Sequence, residues 1–272
     1  MSDIEKRIKE KIERVGTPLK EWDINIYRGI LTGYNEAFII DGKTKDGLIE
    51  KSPKNAEIIR PILRGRDIKR YGYEFADLWL ICTFPSLNID IEEYPAVKEH
   101  LLSYGYDRLK QAGENGSRKK TNNKWFETQD SISYWDDFSK QKIGWGNLSL
   151  NSQFTLIDEG YYINAPSAFF CSNDLYLLGL LNSNISSYYI KSLGVTRNGG
   201  YFEFKPMFVE QMPIPQIAEY QKDKLIYLTK KIQESRNKHI DTINIEVEVN
   251  RLVYDLYQLS IEEVEFLENT IK

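Results

Sequence analysis

Leu193 to Gln216 reads LGVTRNGGYFEFKPMFVEQMPIPQ and separates two kinds of sequence. Upstream lies an irregular, aromatic, strand-rich region; downstream comes charged sequence with helical apolar spacing. The stretch opens on a glycine turn, Thr196-Arg197-Asn198-Gly199-Gly200. It passes into Tyr201, Phe202, Phe204 and Phe208 and closes on Pro213-Ile214-Pro215. Prolines two apart fix an extended path and exclude a helix. Pro213 to Pro215 is therefore expected to be a stiff hinge between a globular body and a helical tail. Gly199 and Gly200 permit positive φ and leave Arg197 and Asn198 at the tip of the turn. On local sequence alone the simplest reading of that tip is a polar hairpin with a solvated arginine.

Working outward, a chain of 272 residues can bury a real core in one or two domains. Hydrophobic residues at 41% and charged residues at 28% place it in the ordinary globular class. No apolar run approaches the roughly 20 residues that span a bilayer. The start, MSDIEKRIKEKIERVG, is charged helix rather than a signal peptide. A cytoplasmic protein without membrane contact is expected. Cys82 and Cys171 sit in apolar surroundings without CxxC spacing, which suits buried thiols in a reducing compartment. With only His100 and His239, His-ligated zinc and His-based nucleophilic catalysis both lack parts. The net charge of −4 does not advertise a nucleic-acid binder, but the charge is unevenly placed. The tail is rich in Glu, whereas Arg108 to Lys124, RLKQAGENGSRKKTNNK, is basic and turn-rich.

Along the chain, Ile4, Ile8, Ile12 and Val15 form one stripe on a first helix that stops at Gly16 and Pro18. Ile24 and Ile26, then Phe38 to Ile40, read as two strands joined by a glycine turn carrying Thr32, Tyr34 and Asn35. The second of them closes on an Asp41-Gly42 turn. A helical stretch near Asn55 to Leu63 precedes RGRDIKRYGYEF, which gathers Arg64, Arg66, Lys69 and Arg70. LWLICTFP, 78 to 85, reads as a buried strand, and Tyr94-Pro95 starts a helix through Val97 and Leu101 that continues to Leu109. Trp125, Phe126, Tyr134, Trp135, Phe138 and Trp145 are candidate core rings. Short strands are expected at Lys142 to Trp145, Phe154 to Ile157 and Tyr161 to Ile163. A buried helix is expected from Leu175 through Tyr189 and Ile190. In the tail, Leu225, Leu228 and Ile232 face Ile245, Val249, Leu252, Leu256 and Leu259 at seam spacing, as an antiparallel pair. Ser260 to Glu263 is a capping box opening a last short helix. The fold class is α+β: a strand-rich body over 22–215, a connecting helix over 1–21, and a helical hairpin with a short helix over 216–272.

Catalytic motifs are incomplete. Asn164-Ala165-Pro166-Ser167 lacks the second proline and stacking ring of an amino-methyltransferase pocket. Asp174 with Glu203-Phe204-Lys205 imitates a nuclease triplet that arises easily by chance, and there is no phosphate-binding glycine loop. No catalytic residue, metal ligand or bound cofactor is assigned to this chain.

Five stretches in order resemble one family. They are Gly29 to Phe38 (GILTGYNEAF), Ile62 to Tyr71 (ILRGRDIKRY), Leu181-Asn182-Ser183, Pro213-Ile214-Pro215 and the closing LVYDLYQLSIEEVE. Together they look like the C-terminal target-recognition region, or TaqI-like specificity domain, of bacterial type IIG restriction-modification enzymes. The match runs from about Trp22 to Glu265. The resemblance implies sequence-specific recognition of double-stranded DNA. The parent activities, adenine-specific methylation and cleavage, would lie in methyltransferase and nuclease domains in cis or in a separate subunit. S-adenosylmethionine and Mg²⁺ would belong to those parts alone, and the first helix would pack on or connect to them. The tail resembles the spacer helices of type I specificity subunits, so a stand-alone specificity subunit is an alternative. A stand-alone nuclease or methyltransferase, and a protein-interaction scaffold without DNA reading, are further rivals. For DNA contact the sequence nominates Arg197, Asn198, Tyr34 and Asn35, the loop cations Arg118, Lys119, Lys120 and Lys124, and the cluster Arg64, Arg66, Lys69 and Arg70. Arg and Asn are the bidentate partners of guanine and adenine, and loop lysines suit phosphates.

Overall fold

The computed structural model describes residues 1–271; Lys272, the last position of the tail segment, lies outside the described residues. Its organising layer is a four-stranded antiparallel sheet in the order Phe154–Ile157, Lys142–Trp145, Ala168–Cys171, Ile26–Arg28. Side chains alternate across a strand, and here both faces are covered. Ile143, Trp145, Phe154, Ala168 and Phe170 point into a core shared with the tail helices, while Ile157 and Phe169 point into a second core. That second core is walled by a mixed sheet, Tyr162–Ile163, Ile59–Leu63, Leu78–Ile81, Ile39–Asp41, whose first pair is parallel. The α+β class and the strands at 142–145 and 154–157 are as the sequence predicts, while the strands expected over 78–85 and 161–163 span only 78–81 and 162–163.

Several expectations are corrected. Ile26–Arg28 and Ile39–Asp41 lie in different sheets, so the glycine turn between them is a crossover and not a hairpin. Asp41 ends no tight turn; its carboxylate accepts from Thr44 N at 2.7 Å and caps the helix Gly42–Lys51. The segment read as helix from Asn55 is a short 3₁₀ turn, Pro53–Ile58, followed by the strand Ile59–Leu63. The helix Pro95–Leu102 breaks before Tyr106–Leu109, and the long apolar helix is two, Leu175–Leu181 and Asn184–Ser192. Ser183 restarts the second by accepting from Ser186 N. Of the candidate core rings, Phe126, Phe138 and Trp145 are buried, whereas Trp135 is exposed.

Pro213–Pro215 is not a hinge. It is a fully buried strand paired with Gly16–Pro18, in register Thr17 to Ile214. A two-stranded ribbon asks each strand for donors on one side only, which proline tolerates. The hydroxyls of Tyr257 and Tyr176 donate to the carbonyls of Pro213 and Pro215. The first helix, Asp3–Val15, is held by the same region. Ile8 and Ile12 are fully buried in this chain's own core, Lys11 Nζ lies 2.6 Å from Glu263, and Arg7 lies 3.0 Å from Glu262. Ile8 and Ile12 of the stripe are therefore covered within this chain, with Ile4 and Val15 half-buried against the same core.

The tail forms helices Glu219–Asn237, Ile243–Leu256 and Ile261–Ile271, the last opened by the expected Ser260–Glu263 box. The first buries Leu225, Leu228, Thr229 and Ile232, partly against Leu175–Leu181, where Gly179 leaves room for Thr229. The second buries Val249, Asn250, Val253 and Tyr254; Ile245, Leu252 and Leu256 are only half-buried. The buried arc is turned relative to the predicted seam because this helix also packs on Asn184–Ser192. Asn250 accepts from Asn184 N at 2.8 Å, and Tyr254 accepts from Asn184 Nδ2 at 2.9 Å. A helix with two neighbours buries a wider arc than a two-helix seam.

Candidate nucleic-acid interface

Loop cations serve a ligand only if the fold leaves them unspent, and the nominated residues divide on that test. Arg118 is 2% exposed. Its guanidinium donates to the carbonyls of Leu109, Thr32, Glu127 and Trp125 at 2.7–2.8 Å and lies over the Phe38 ring. Burial, then the charge of Arg108, brings its pKa down to about 10. Arg118 is thus an internal tie for the 110–129 loop and not a DNA contact. Lys119, Lys120 and Lys124, beside it in sequence, are exposed.

The second cluster divides likewise. Arg64 is closed on Asp67 by two parallel bonds of 2.9 and 2.8 Å, and its own amide donates to the same carboxylate at 2.8 Å. This clamp folds the turn Gly65–Asp67 and puts Arg66 at its exposed tip. Arg70 turns toward the tail, 2.6 Å from Glu246, which Arg236 also pairs at 2.8 Å. Burial would raise the Glu246 carboxyl, but Arg70 foremost, with Arg236 and Thr242, holds it below its ordinary value. Arg64 and Arg70 are therefore both partly buried and paired within the chain. Lys69 stays exposed on the small ribbon Ile68–Lys69 and Gly72–Tyr73.

Arg197 and Asn198 are exposed, as expected. Gly199 and Gly200 have φ of 76° and 80°, so the turn needs them. Arg197 Nη2 lies 3.0 Å from Glu203, whose carboxyl is held down chiefly by Lys205 at 2.8 Å and also by Arg197. Tyr34 is half-buried and Asn35 exposed. The Thr32 hydroxyl donates to Asn35 Oδ1 at 2.7 Å, and Arg108 stacks over Tyr34 at 4.3 Å. Arg108 and Arg28 are exposed cations on this side that the sequence reading passed over. Their signal was present: Arg28 abuts the Gly29–Gly33 turn, and Arg108 opens the basic run.

Backbone contacts place the remaining groups in succession. The 194–204 turn joins Asn147, since Phe204 N donates to its carbonyl at 2.7 Å. Gly146 is so close to Gly65 that an added Cβ would lie 3.0 Å from its carbonyl oxygen, and one on Gly65 would lie 3.0 Å from Ser167 Oγ. Gly29 N donates to Ser167 O, and Asp130 N donates to Leu31 O. Asp130 in turn feels the charges of Arg28 and Lys119. Arg197, Arg66, Arg28 and the 110–129 loop thus follow one another along a connected series of turns. Asp174 caps Leu175–Leu181, while Glu203 and Lys205 pair with each other. Among the described residues no three His, Cys, Asp or Glu side chains gather where a metal could be held. Among the described residues no helix is long and apolar enough to cross a membrane.

The fold is a mixed α+β scaffold that presents arginine, lysine and asparagine on its turns. The sequence profile described as the TaqI-like C-terminal specificity domain matches residues 60–214, more than half of the chain, and the chain belongs to that family. It is 26% identical over 241 residues to the type II methyltransferase M.MjaIV of Methanocaldococcus jannaschii, covering 83% of this chain and 76% of the relative. Among solved structures it is similar to the type IIL restriction-modification enzyme MmeI in complex with DNA, at TM-score 0.63 and 14% identity. It is also similar to the type IIG restriction endonuclease BpuSI, at TM-score 0.55 and 15% identity. Each likeness covers 94% of this chain but only 36% and 33% of those longer proteins, and at such identity it establishes a shared fold.

Proposed function

We propose that the chain reads the sequence of duplex DNA as the target-recognition part of a restriction-modification enzyme. In this reading residues 22–215 carry the recognition surface, backed by 1–21 and 216–272. Methyl transfer and cleavage, with S-adenosylmethionine and Mg²⁺, belong to domains in cis or to a separate subunit. The observation that carries it is the division of the cations. Arg118, Arg64 and Arg70 are spent on carbonyls and carboxylates that brace the turns, which leaves Arg66, Lys119, Lys120 and Lys124 exposed on them, with Arg197 exposed and paired once, to Glu203. Braced turns with unspent donors are what base reading requires, because phosphate contacts set register and base edges supply specificity.

The membership of a specificity-domain family and the likeness to MmeI in complex with DNA support the same assignment. The test is duplex binding as a function of salt. Each phosphate neutralised contributes a slope of about −0.9 in log K against log salt. A steep slope together with a preference among sequences is expected; a flat slope with no preference would leave the chain a protein-interaction scaffold.

A further inference from the structure

The ribbon formed by Leu148–Ser149 and Phe202–Glu203 has two unlike faces. Ser149 stands opposite Phe202 and both are buried, whereas Leu148 stands opposite Glu203 on the outer face. Alternation along the strands puts Leu150 and Tyr201 on that outer face as well. A Cβ on Gly200 would lie 3.7 Å from Leu150 Cδ2, which agrees. Arg197 joins them through its pair with Glu203. The face therefore gathers Leu148, Leu150 and Tyr201, 55%, 46% and 43% exposed, around one guanidinium, with Val195 at 84% on the adjoining turn.

Beneath it the support is rigid. Phe202 packs on Phe204 and Phe208, and Trp145 Nε1 donates to Phe204 O at 2.7 Å. Lys191, whose Nζ holds the Leu150 carbonyl at 2.9 Å, and Lys205 flank the apolar group, so Glu203 is outnumbered by cations.

We propose that this face enters the major groove, where Leu148, Leu150 and Val195 contact thymine C5-methyl groups beside a guanine taken by Arg197. This rests on the DNA reading above and deepens it. The major groove admits a two-stranded ribbon, and the thymine methyl is the apolar group that base edges offer there. Exposed leucines at the centre of a cationic rim match that chemistry, and the rim selects DNA over an apolar protein face as the occupant.

The test uses the full chain and a duplex enriched from a random pool, with each thymine replaced singly by deoxyuridine, which removes only the methyl. Binding should weaken about fourfold per contacted methyl, at one or two positions next to the guanine whose preference Arg197→Ala flattens. Leu148→Ser and Leu150→Ser should each remove the sensitivity at the thymine that the leucine contacts. Selective binding indifferent to every deoxyuridine overturns this inference and leaves the DNA reading standing. Failure to enrich any duplex overturns both. If the serine variants lose a protein partner while their response to deoxyuridine matches that of the unaltered chain, the face belongs to that partner and the inference falls.

Discussion

Arg118 and Lys119 are neighbours in one basic run and do opposite things. The first is walled in by four carbonyls and the second reaches solvent. Arg118→Ala should therefore cost about 2–4 kcal/mol in urea unfolding by leaving buried carbonyls without a donor. It should not change the salt slope of DNA binding. Lys119→Ala should do the reverse, reducing that slope by about one unit with little loss of stability. Equal slopes for the two variants would mean that the assignment by burial is mistaken. Glu246 supplies a pH dependence. Its carboxyl is depressed in the folded state by Arg70 and Arg236, so its contribution is complete above the ordinary glutamate value of 4.5. That stability is lost as pH falls through the lower folded value. Glu246→Gln should flatten the acid side of the stability curve; a variant that keeps the original acid midpoint and shape would exclude this linkage. The sequence exposed the cationic run but not its division, because which side of a loop faces inward is set by remote carbonyls such as that of Thr32.

At the scale of elements, helical spacing was legible wherever a helix has one apolar stripe, as in Asp3–Val15 with Ile8 and Ile12. It misplaced the seam of Ile243–Leu256, because a heptad reading assumes one partner and this helix also packs on Asn184–Ser192. The consequence is measurable. Val253→Ala should destabilise by about 2 kcal/mol, and Leu252→Ala, half-buried, by about 1 kcal/mol despite the larger side chain. The opposite order in thermal or urea unfolding would restore the predicted seam. The proline segment misled for a related reason. Pro213-Ile214-Pro215 announces extended backbone correctly, but only the distant Gly16–Pro18 makes it a buried strand instead of a hinge. Likewise the Gly29–Gly33 turn was visible as a turn, while its passage between two sheets was not.

Over the whole molecule, the first helix and the tail close one core and the mixed sheet closes the other, with the central sheet between them. A central sheet buried on both faces supports the turns to which the proposed function assigns DNA contact. The family was legible from short stretches read in order, of which Ile62 to Tyr71 and Leu181 to Ser183 lie inside the matched residues 60–214 and Pro213-Ile214-Pro215 at their end. A target sequence was not legible, since no residue code converts loop side chains into base pairs. The measurement that bears most directly on the account is therefore a selection of duplexes from a random pool, run in parallel with the chain and its Arg197→Ala variant. An arginine paired to guanine is worth about 1–3 kcal/mol of discrimination. The account predicts a defined site for the chain and, for the variant, a preference flattened at one or two base pairs with weak salt-sensitive binding kept. A pool that emerges from the unaltered chain without enrichment would contradict it.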